Sequence, residues 1–292
     1  MWVVDSGNSG IFTQPKFKCK AKLVQIHLIK APVLKIVHEF SREIISKKSI
    51  IMELGSKNRE FFMSDIVQGC IIKYSQQEKK AVKIQSLEYM KPMNTPIKIN
   101  GHFLYLHFGV TGLSLVNVST HCLKKHSLKL HFQDTLYFGT LSSPLYSMDT
   151  KTLQIEYLGQ RSGTCQAMTT ANGQIMYIGI LDSSSIISWN ISDPMNSREL
   201  VIRNTKLQWT NSLWIYDEFL WMTHNSFHLF ANYKQENISF GIHRWKLSPE
   251  HPVKPDFIDL DVKKNNSINY TVFRFKNCSL FLFLVLYSHF SP

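Results

Sequence analysis

The sequence predicts an all-β protein built as a β-propeller, and two observations lead to this fold class. Short runs rich in Val, Ile, Phe, Tyr and Trp recur between turn residues, whereas helical periodicity is hard to find. One unit, an aromatic-bearing strand followed by a polar break and a second strand, returns at intervals of about 40 to 75 residues. Because propeller blades are four-stranded sheets of about 40–50 residues plus insertions, this spacing fits blades around an axis.

The repeated unit gives the order of the predicted strands. It occurs at Met1–Gly7, at Phe61–Asp65 with Cys70–Tyr74, at Leu136–Gly139 with Leu145–Met148, at Ile175–Ile180 with Ile186–Trp189, and at Phe219–Thr223 with Phe227–Phe230. The dipeptides Asn100-Gly101 and Asn172-Gly173 predict tight turns between strands. Segments 41–60, 117–131 and 248–268 are polar, charged or Pro-containing and are predicted loops. Since no flexible linker divides the chain, one domain is predicted.

Composition excludes several classes of protein. Hydrophobic residues make up 44% of the 292 residues, and 19 Phe, 11 Tyr and 6 Trp argue against disorder. The longest apolar run, Leu280 to Tyr287, is far shorter than the roughly 20 residues that a membrane helix requires. The sequence therefore predicts a globular chain without a membrane span.

The net charge of +12 lies entirely in residues 1–130, which hold 20 basic and 8 acidic side chains, whereas residues 131–292 hold 13 of each. Lys16, Lys18, Lys20 and Lys22 alternate at strand spacing and are interpreted as part of a solvated surface; one lysine face that attracts an anionic polysaccharide is the alternative. Lys outnumbers Arg by 26 to 7, and Arg is the usual choice for bidentate phosphate recognition. With no nucleic-acid module in the sequence, nucleic acid is not a predicted partner.

The sequons are a mild indication of a glycosylated, extracellular protein, and the cysteine spacing excludes two common motifs. Candidate N-glycosylation sites occur at Asn117, Asn190, Asn237, Asn265 and Asn269, and a sixth sequon starts at Asn277. About three sequons would arise by chance in such a composition. The five cysteines are widely spaced and contain no CxxC pair, which excludes common zinc-finger and thioredoxin patterns.

Several motifs resemble the yellow / major royal jelly protein family of insects. MWVVDSG at Met1–Gly7 resembles the family's (L/M)WVLDSG strand, and LYFGTLSSPLYSMDTKTL at Leu136–Leu153 is similar to LYFHPLSS…LYSVNTKVL. GVTGLSL at Gly109–Leu115 resembles GIFGIALS, and LWMTHN at Leu220–Asn225 resembles LWVLSNR. Six such motifs follow in family order across residues 1–245.

This resemblance implies a six-bladed propeller, secretion and an insect source. It also implies that the chain lacks a signal peptide and part of its first blade, so that residues 1–277 form a propeller with an incomplete first blade. Cys19 would then lack a disulfide partner, and an unpaired edge strand would lower stability. Residues 278–292 do not resemble the family's C-terminus and are predicted to be an atypical tail, with disorder as one interpretation.

The resemblance also places a candidate ligand site in the central channel. Some salivary members of the family bind biogenic amines such as serotonin there, and Thr210, Asn225 and Phe227 stand at the matching places. Thr and Asn supply hydrogen bonds and an aromatic ring can stack on the ligand. The alternative is that Asn225 makes a turn hydrogen bond and that Phe227 belongs to the core.

Function is predicted as extracellular binding of a small aromatic amine or a catechol-type compound. A melanin-pathway protein that converts dopachrome and a nutritional or structural secreted protein are the alternatives. Because the sequence lacks GxSxG, HExxH, GxxxxGK(S/T) and GxGxxG motifs, no catalytic residue and no cofactor are predicted. His121, His126 and His131, and likewise His224 and His228, are interpreted as solvated or packed residues rather than metal ligands.

Overall fold

The computed structural model describes residues 2–9, 16–27, 33–117, 134–205, 207–229 and 240–247. Within these ranges the regular structure is almost entirely β-strand, which confirms the predicted all-β class. The exceptions are one turn of 3-10 helix at Met195–Ser197 and one helical turn at 227–229.

Five antiparallel sheets follow one another along the chain, and in each sheet consecutive strands are neighbours. The first region contains β1 (Trp2–Asp5), the short paired strands β2 (Asn8–Ser9) and β3 (Lys16–Phe17), β4 (Lys22–His27) and β5 (Val33–Glu39), of which β1, β4 and β5 form sheet I. Sheet II consists of β6 (Ile51–Lys57), β7 (Glu60–Asp65), β8 (Cys70–Ser75) and β9 (Lys80–Ile84). A hairpin of β10 (Met93–Ile99) and β11 (His102–Phe108) comes next.

The second half of the chain continues the same arrangement. Sheet III consists of β12 (Val110–Asn117), β13 (Asp134–Thr140), β14 (Pro144–Asp149) and β15 (Ile155–Gln160). Sheet IV consists of β16 (Cys165–Ala171), β17 (Ile175–Ile180), β18 (Ser185–Asn190) and β19 (Glu199–Arg203). Sheet V consists of β20 (Trp209–Tyr216), β21 (Phe219–Asn225) and β22 (Phe240–Lys246).

The first strand of each sheet is its innermost strand. β1 contacts β6, β6 contacts β12, β12 contacts β16, and β16 contacts β20. The sheets therefore stand side by side as blades around an axis, and the fold is a β-propeller, as predicted. The described residues account for five blades, so the count of six stays a prediction.

Backbone hydrogen bonds join successive blades at the end where the inner strands begin. The N–H of Ile66 donates to the carbonyl of Ile50 (3.0 Å), that of Gly109 to Ile66 (2.7 Å), that of Leu141 to Gly109 (3.2 Å) and that of Cys165 to Leu141 (3.3 Å). These bonds connect sheets II, III and IV. They consequently place the first residues of β6, β12 and β16 at the same level of the propeller.

Each pair of neighbouring blades encloses its own apolar cluster. Phe61 and Tyr74 pack between sheets I and II, and Phe138 packs between sheets II and III. Trp189 lies between sheets III and IV, and Trp245 between sheets IV and V. Because successive side chains of a strand point to opposite faces of its sheet, each central blade is buried on both sides.

The β10–β11 hairpin covers the end of the propeller where the inner strands begin, and we call it the cap hairpin. Its predicted turn is confirmed, since Asn100 and Gly101 have φ values of 47° and 85°. The residues of its buried face are Ile97, Ile99, Leu104 and Phe108. They form one cluster, the cap cluster, with Ile66, Leu141, Leu181, Trp209 and Phe227. An apolar lid thus lies over this mouth of the propeller.

Two predictions of secondary structure are wrong. Segment 41–60, predicted as a loop, contains the whole of β6, the inner strand of sheet II. Residues 227–230 were expected to form the second strand of a pair, but 227–229 form a helical turn and β22 supplies that strand instead. In the first case the polar residues of β6 concealed a strand; in the second, Asn225 caps a turn directly before Phe227.

The spacing of Lys16, Lys18, Lys20 and Lys22 suggested a single strand, and this is also wrong. Lys16 belongs to β3 and Lys22 to β4, whereas Lys18 and Lys20 lie exposed in the connection between them. Lys22 stands directly between acidic residues of both neighbouring strands, because Asp5 and Glu39 are its register partners. Opposite charges at directly paired positions favour cross-strand pairing within sheet I.

Candidate functional site

Four of the inner strands carry a β-bulge close to their first residue. The register shifts lie between Ile51 and Leu54 in β6, Val110 and Gly112 in β12, Cys165 and Met168 in β16, and Thr210 and Ser212 in β20. A bulge sets an additional residue opposite the neighbouring strand and changes the direction of its side chain. Since four bulges recur at corresponding positions, the additional residues form a set around the axis.

Polar side chains occupy three of these positions, and we call them the bulge ring. Its members are Thr111, Gln166 and Asn211, and the corresponding residue of β6 is Met52. Thr111 and Gln166 are almost fully buried, whereas Asn211 keeps partial exposure. Polar residues on a buried inner strand require partners, so their contacts show which space they face.

The contacts of the bulge ring run between blades. The Nε2 of Gln166 in sheet IV donates to the Sδ of Met52 in sheet II at 3.4 Å, although sheet III lies between them. The hydroxyl of Thr111 donates to the carbonyl of Cys165 at 3.0 Å. A Cβ at Gly112 would lie 2.5 Å from the carbonyl oxygen of Gln166, so the close approach of β12 to β16 requires glycine. The ring therefore faces one shared axial space.

Glu53 follows Met52 in β6. Its backbone N–H donates to the hydroxyl of Ser64 at 3.0 Å, which fixes the bulge, and burial raises the pKa of its carboxyl well above the ordinary value. The pKa of the Cys165 thiol is raised mainly by burial, with Arg161 opposing and the charge of Glu53 adding to the increase.

Asn211 connects the ring to a residue that the sequence singled out. The Nδ2 of Asn225 donates to the Oδ1 of Asn211 at 3.2 Å, and the Oδ1 of Asn225 accepts from the backbone N–H of Phe227 at 2.9 Å. The Nδ2 of Asn211 is buried and has no hydrogen-bond partner among the described residues. A donor is therefore available for a group that enters the axial space.

The structure does not bring the three candidate ligand residues together as one polar cluster. Thr210 is 1% exposed, and its hydroxyl lies 3.7 Å from the Sδ of Met222 within sheet V. Phe227 packs edge-on against Trp209, with ring centroids 5.0 Å apart, in the cap cluster. Asn225 is the candidate that reaches the bulge ring, through Asn211.

Sequence reasoning gave no role to Met52, Thr111, Gln166 or Asn211. Met52 lies in the segment predicted as a loop, Thr111 lies within the GVTGLSL motif, and Gln166 and Asn211 stand next to buried residues. A signal was present in the broken alternation at the start of each inner strand, as in Trp209-Thr210-Asn211. A bulge depends on pairing between strands, however, and a single segment does not show its pairing.

The histidines form pairs rather than a metal centre. The imidazole rings of His224 and His243 stack with centroids 4.6 Å apart, and their Nε2 atoms lie 2.7 Å from each other. His228 lies instead near His102, with ring centroids 6.0 Å apart, and burial together with the charge of His102 lowers its pKa to about 4. Among the described residues no group of three or more His, Cys, Asp or Glu could hold a metal ion. His121, His126 and His131 lie outside the described residues.

Most of the candidate glycosylation sites also lie outside the described residues. These are Asn237, Asn265 and Asn269, together with the sequon at Asn277. Asn117 ends β12, and Asn190 ends β18, where its Oδ1 accepts from the N–H of Ser192 at 3.0 Å. No helix in the described ranges has the length and apolar character needed to cross a membrane.

The comparison with protein families agrees with the fold. The family model described as major royal jelly protein matches residues 1–250. No curated protein matches the sequence. Among solved structures, a chain of Kuenenia stuttgartiensis hydrazine synthase is similar with a TM-score of 0.42 and 9% identity over 69% of this chain and 46% of that chain. A chain of a nidogen/laminin complex has a TM-score of 0.39 and 11% identity over 88% and 92% of the two chains. At these TM-scores neither structure carries an argument about function.

Proposed function

The chain belongs to the major royal jelly protein family, and we propose that it is a secreted insect propeller that binds a small aromatic amine in its axial space. The observation that carries this proposal is the recurrence of the bulge in four neighbouring inner strands. In three of these strands the residue at the bulge is polar (Thr111, Gln166 and Asn211) and in β6 it is Met52, so hydrogen-bonding groups stand beside apolar surface.

The cap cluster supports the same proposal from one end of this space. Met52 packs against the cap cluster and also contacts Gln166, so apolar surface and polar side chains meet at one level. A small ligand with an aromatic body and polar ends requires this combination. The ring of Trp209 in the cap cluster and the amide of Asn225 lie close to this level, because the two residues are register partners.

Calorimetric titration with serotonin, dopamine and octopamine tests the proposal. We expect saturable heat with at least one amine, and weaker binding in Asn225→Ala because the pair between Asn225 and Asn211 is lost. Asn94→Ala is the matched control, since Asn94 is exposed on the cap hairpin and bonds to His107 instead. Absence of heat with all three amines would end the proposal.

The proposal also includes six blades and secretion of the protein. The family resemblance implies six blades and secretion, and the described residues supply five of the blades. Expression with a secretion signal in insect cells, followed by mass measurement before and after glycosidase treatment, tests glycosylation at Asn190 and the other sequons. An unchanged mass would contradict a glycosylated secreted protein.

A further inference from the structure

The outer face of the cap hairpin exposes two aromatic rings of one strand. Phe103 and Tyr105 stand on either side of buried Leu104 in β11, and they are 56% and 72% exposed. An aromatic ring in water forgoes the large stabilisation that its burial would provide, and exposed apolar surface of this kind marks interaction sites. The outer face of the hairpin is therefore a candidate interaction surface.

The rest of the hairpin holds these rings toward the solvent. Its other face belongs to the cap cluster, through Leu104 and the apolar residues that alternate with the exposed ones. At the turn, the Nδ2 of Asn100 donates to the backbone carbonyl of Thr205 at 3.2 Å. Because successive residues of a strand point to opposite faces, the rings cannot turn inward without exposing the buried set. The surface is thus preformed before any partner binds.

The partners of the two rings across the hairpin supply a cation and a second apolar ring. Lys98 is the register partner of Phe103, and its ammonium nitrogen lies 5.6 Å from the centroid of that ring. Pro96 is the register partner of Tyr105. Directly paired residues point to the same face of a sheet, so these four side chains form one surface, which we call the cap platform.

A polar pair ends the cap platform on the side away from the turn. The Nδ1 of His107 donates to the Oδ1 of Asn94 at 3.0 Å, and both side chains are exposed. Residues 93–108 include Lys98 but neither Asp nor Glu. The surface therefore combines aromatic rings, hydrogen-bonding groups and one ammonium group, which is complementary to a ligand that carries negative charge.

The dimensions of the cap platform favour a linear polymer over a second protein. Between Asn94 and Lys98 the strand rises by roughly 14 Å, at about 3.4 Å per residue, and the hairpin is two strands wide. Such a strip offers on the order of 200 Å², whereas a stable protein interface buries roughly 800 Å² per partner. Single-stranded nucleic acid binds to grooves that contact several phosphates, but this strip carries a single ammonium group. A polysaccharide with widely spaced acidic groups satisfies size and charge together.

We propose that the cap platform binds an acidic polysaccharide that carries a carboxylate on every second sugar. The rings of Tyr105 and Phe103 pack against the C–H faces of successive sugars, and Lys98 donates to the carboxylate. The imidazole of His107 and the hydroxyl of Tyr105 form hydrogen bonds with sugar hydroxyls. This site stands on the opposite face of the hairpin from the cap cluster, so it does not depend on amine binding in the axial space.

The first test measures binding of the hexasaccharides of hyaluronan and of unsulfated chondroitin by calorimetry. We expect saturable binding of at least one, about tenfold weaker in Tyr105→Ala and nearly unchanged in Tyr105→Phe, which keeps the ring. Tyr216→Ala is the matched control, since Tyr216 is exposed on β20 in another blade. An unchanged melting temperature verifies that Tyr105→Ala is folded. The proposal is overturned if neither hexasaccharide binds, or if Tyr105→Ala binds as tightly as the wild-type protein.

The second test concerns the charge of the ligand. Lys98→Gln should weaken binding about tenfold, because a hydrogen bond between charged groups is lost, while Lys151→Gln, at an exposed position of sheet III, should have no effect. Raising NaCl from 50 to 200 mM should weaken binding only about threefold, as one ammonium contact implies. Equally tight binding of the neutral hexasaccharide of N-acetylglucosamine would overturn the proposal. Tighter, Tyr105-dependent binding of oligothymidylate would overturn it in favour of single-stranded nucleic acid.

Discussion

The guanidinium group of Arg161 occupies the space beside Gly139 that the Cβ of any other residue would need, with the guanidinium carbon 2.8 Å from that position. Arg161 lies between sheets III and IV in the chain and is 3% exposed. It donates to the carbonyls of Thr140 (2.6 Å), Ser142 and Ser143 (3.1 Å). One buried cation thus holds the turn of sheet III against the start of sheet IV.

We expect Gly139→Ala to destabilise the protein by about 1–3 kcal/mol, because the added methyl group displaces the guanidinium from its carbonyl acceptors. Gly55→Ala is the matched control, since its Cβ would meet the Cβ of Leu115 at 3.8 Å, an ordinary contact. Urea unfolding of both variants measures the difference. Equal stability of the two variants would show that Arg161 moves aside without loss.

The cap hairpin offers a comparison between adjacent residues of one strand. Leu104 is 5% exposed in the cap cluster, whereas its neighbours Phe103 and Tyr105 are 56% and 72% exposed. We expect Leu104→Ala to cost about 2–5 kcal/mol through the cavity that it leaves. Tyr105→Ala should change the free energy of unfolding by less than about 0.5 kcal/mol. A small effect of Leu104→Ala would mean that the hairpin is not packed on the blades.

His228 should make stability depend on pH. Burial and the charge of His102 lower its pKa from 6.5 to about 4, so the folded state binds fewer protons than the unfolded state between these values. Its contribution is complete above pH 6.5 and decreases as pH falls to about 4, by at most about 1.4 kcal/mol per pH unit. We expect the loss of stability between pH 7 and 4 to be smaller in His228→Gln than in wild type. His27→Gln, at an exposed position, should follow the wild-type profile.

The described thiols should differ in reactivity. Burial raises the pKa of Cys70 to about 12 and also raises that of Cys165, and since the thiolate is the nucleophile, both should resist alkylation. Cys19 is partly exposed and should react first when the folded protein meets iodoacetamide at about pH 8. Peptide mass mapping identifies the order. Labelling in urea should make the three cysteines equivalent, and early labelling of Cys70 in buffer would contradict its burial.

Sequence reasoning recovered the middle strands of the blades better than their inner and outer strands. The strands β7, β13 and β17 were predicted to within two residues at each end because they are continuous runs rich in aromatic and β-branched residues. The turn at Asn172-Gly173 is also confirmed, with φ values of 48° and 68°. In contrast, β6 was missed, since Glu53, Ser56 and Lys57 interrupt the apolar pattern expected of a buried strand.

The candidate site was predicted less completely than the strands, because it depends on pairing between segments. Family resemblance drew attention to Asn225, which contacts the bulge ring, and to Phe227, for which the structure supports the alternative of a core residue. The contact between Gln166 of sheet IV and Met52 of sheet II depends on how separate strands pair and stack, and the residues of one segment do not contain this information. Local motifs therefore identified the blade to which a segment belongs, but not which side chains its inner strand presents at the bulge.

The residues at the four bulges lie outside the regular strand pairing that holds each blade together. A bulged residue has no single residue directly opposite it, so its side chain contributes little to cross-strand pairing. The side chains of Thr111, Gln166 and Asn211 nevertheless hydrogen-bond to residues of other strands, so substitution there changes the chemistry of the axial space together with these contacts. Redesign of selectivity would therefore vary these residues in combination, while the paired residues that set the register of each blade stay unchanged.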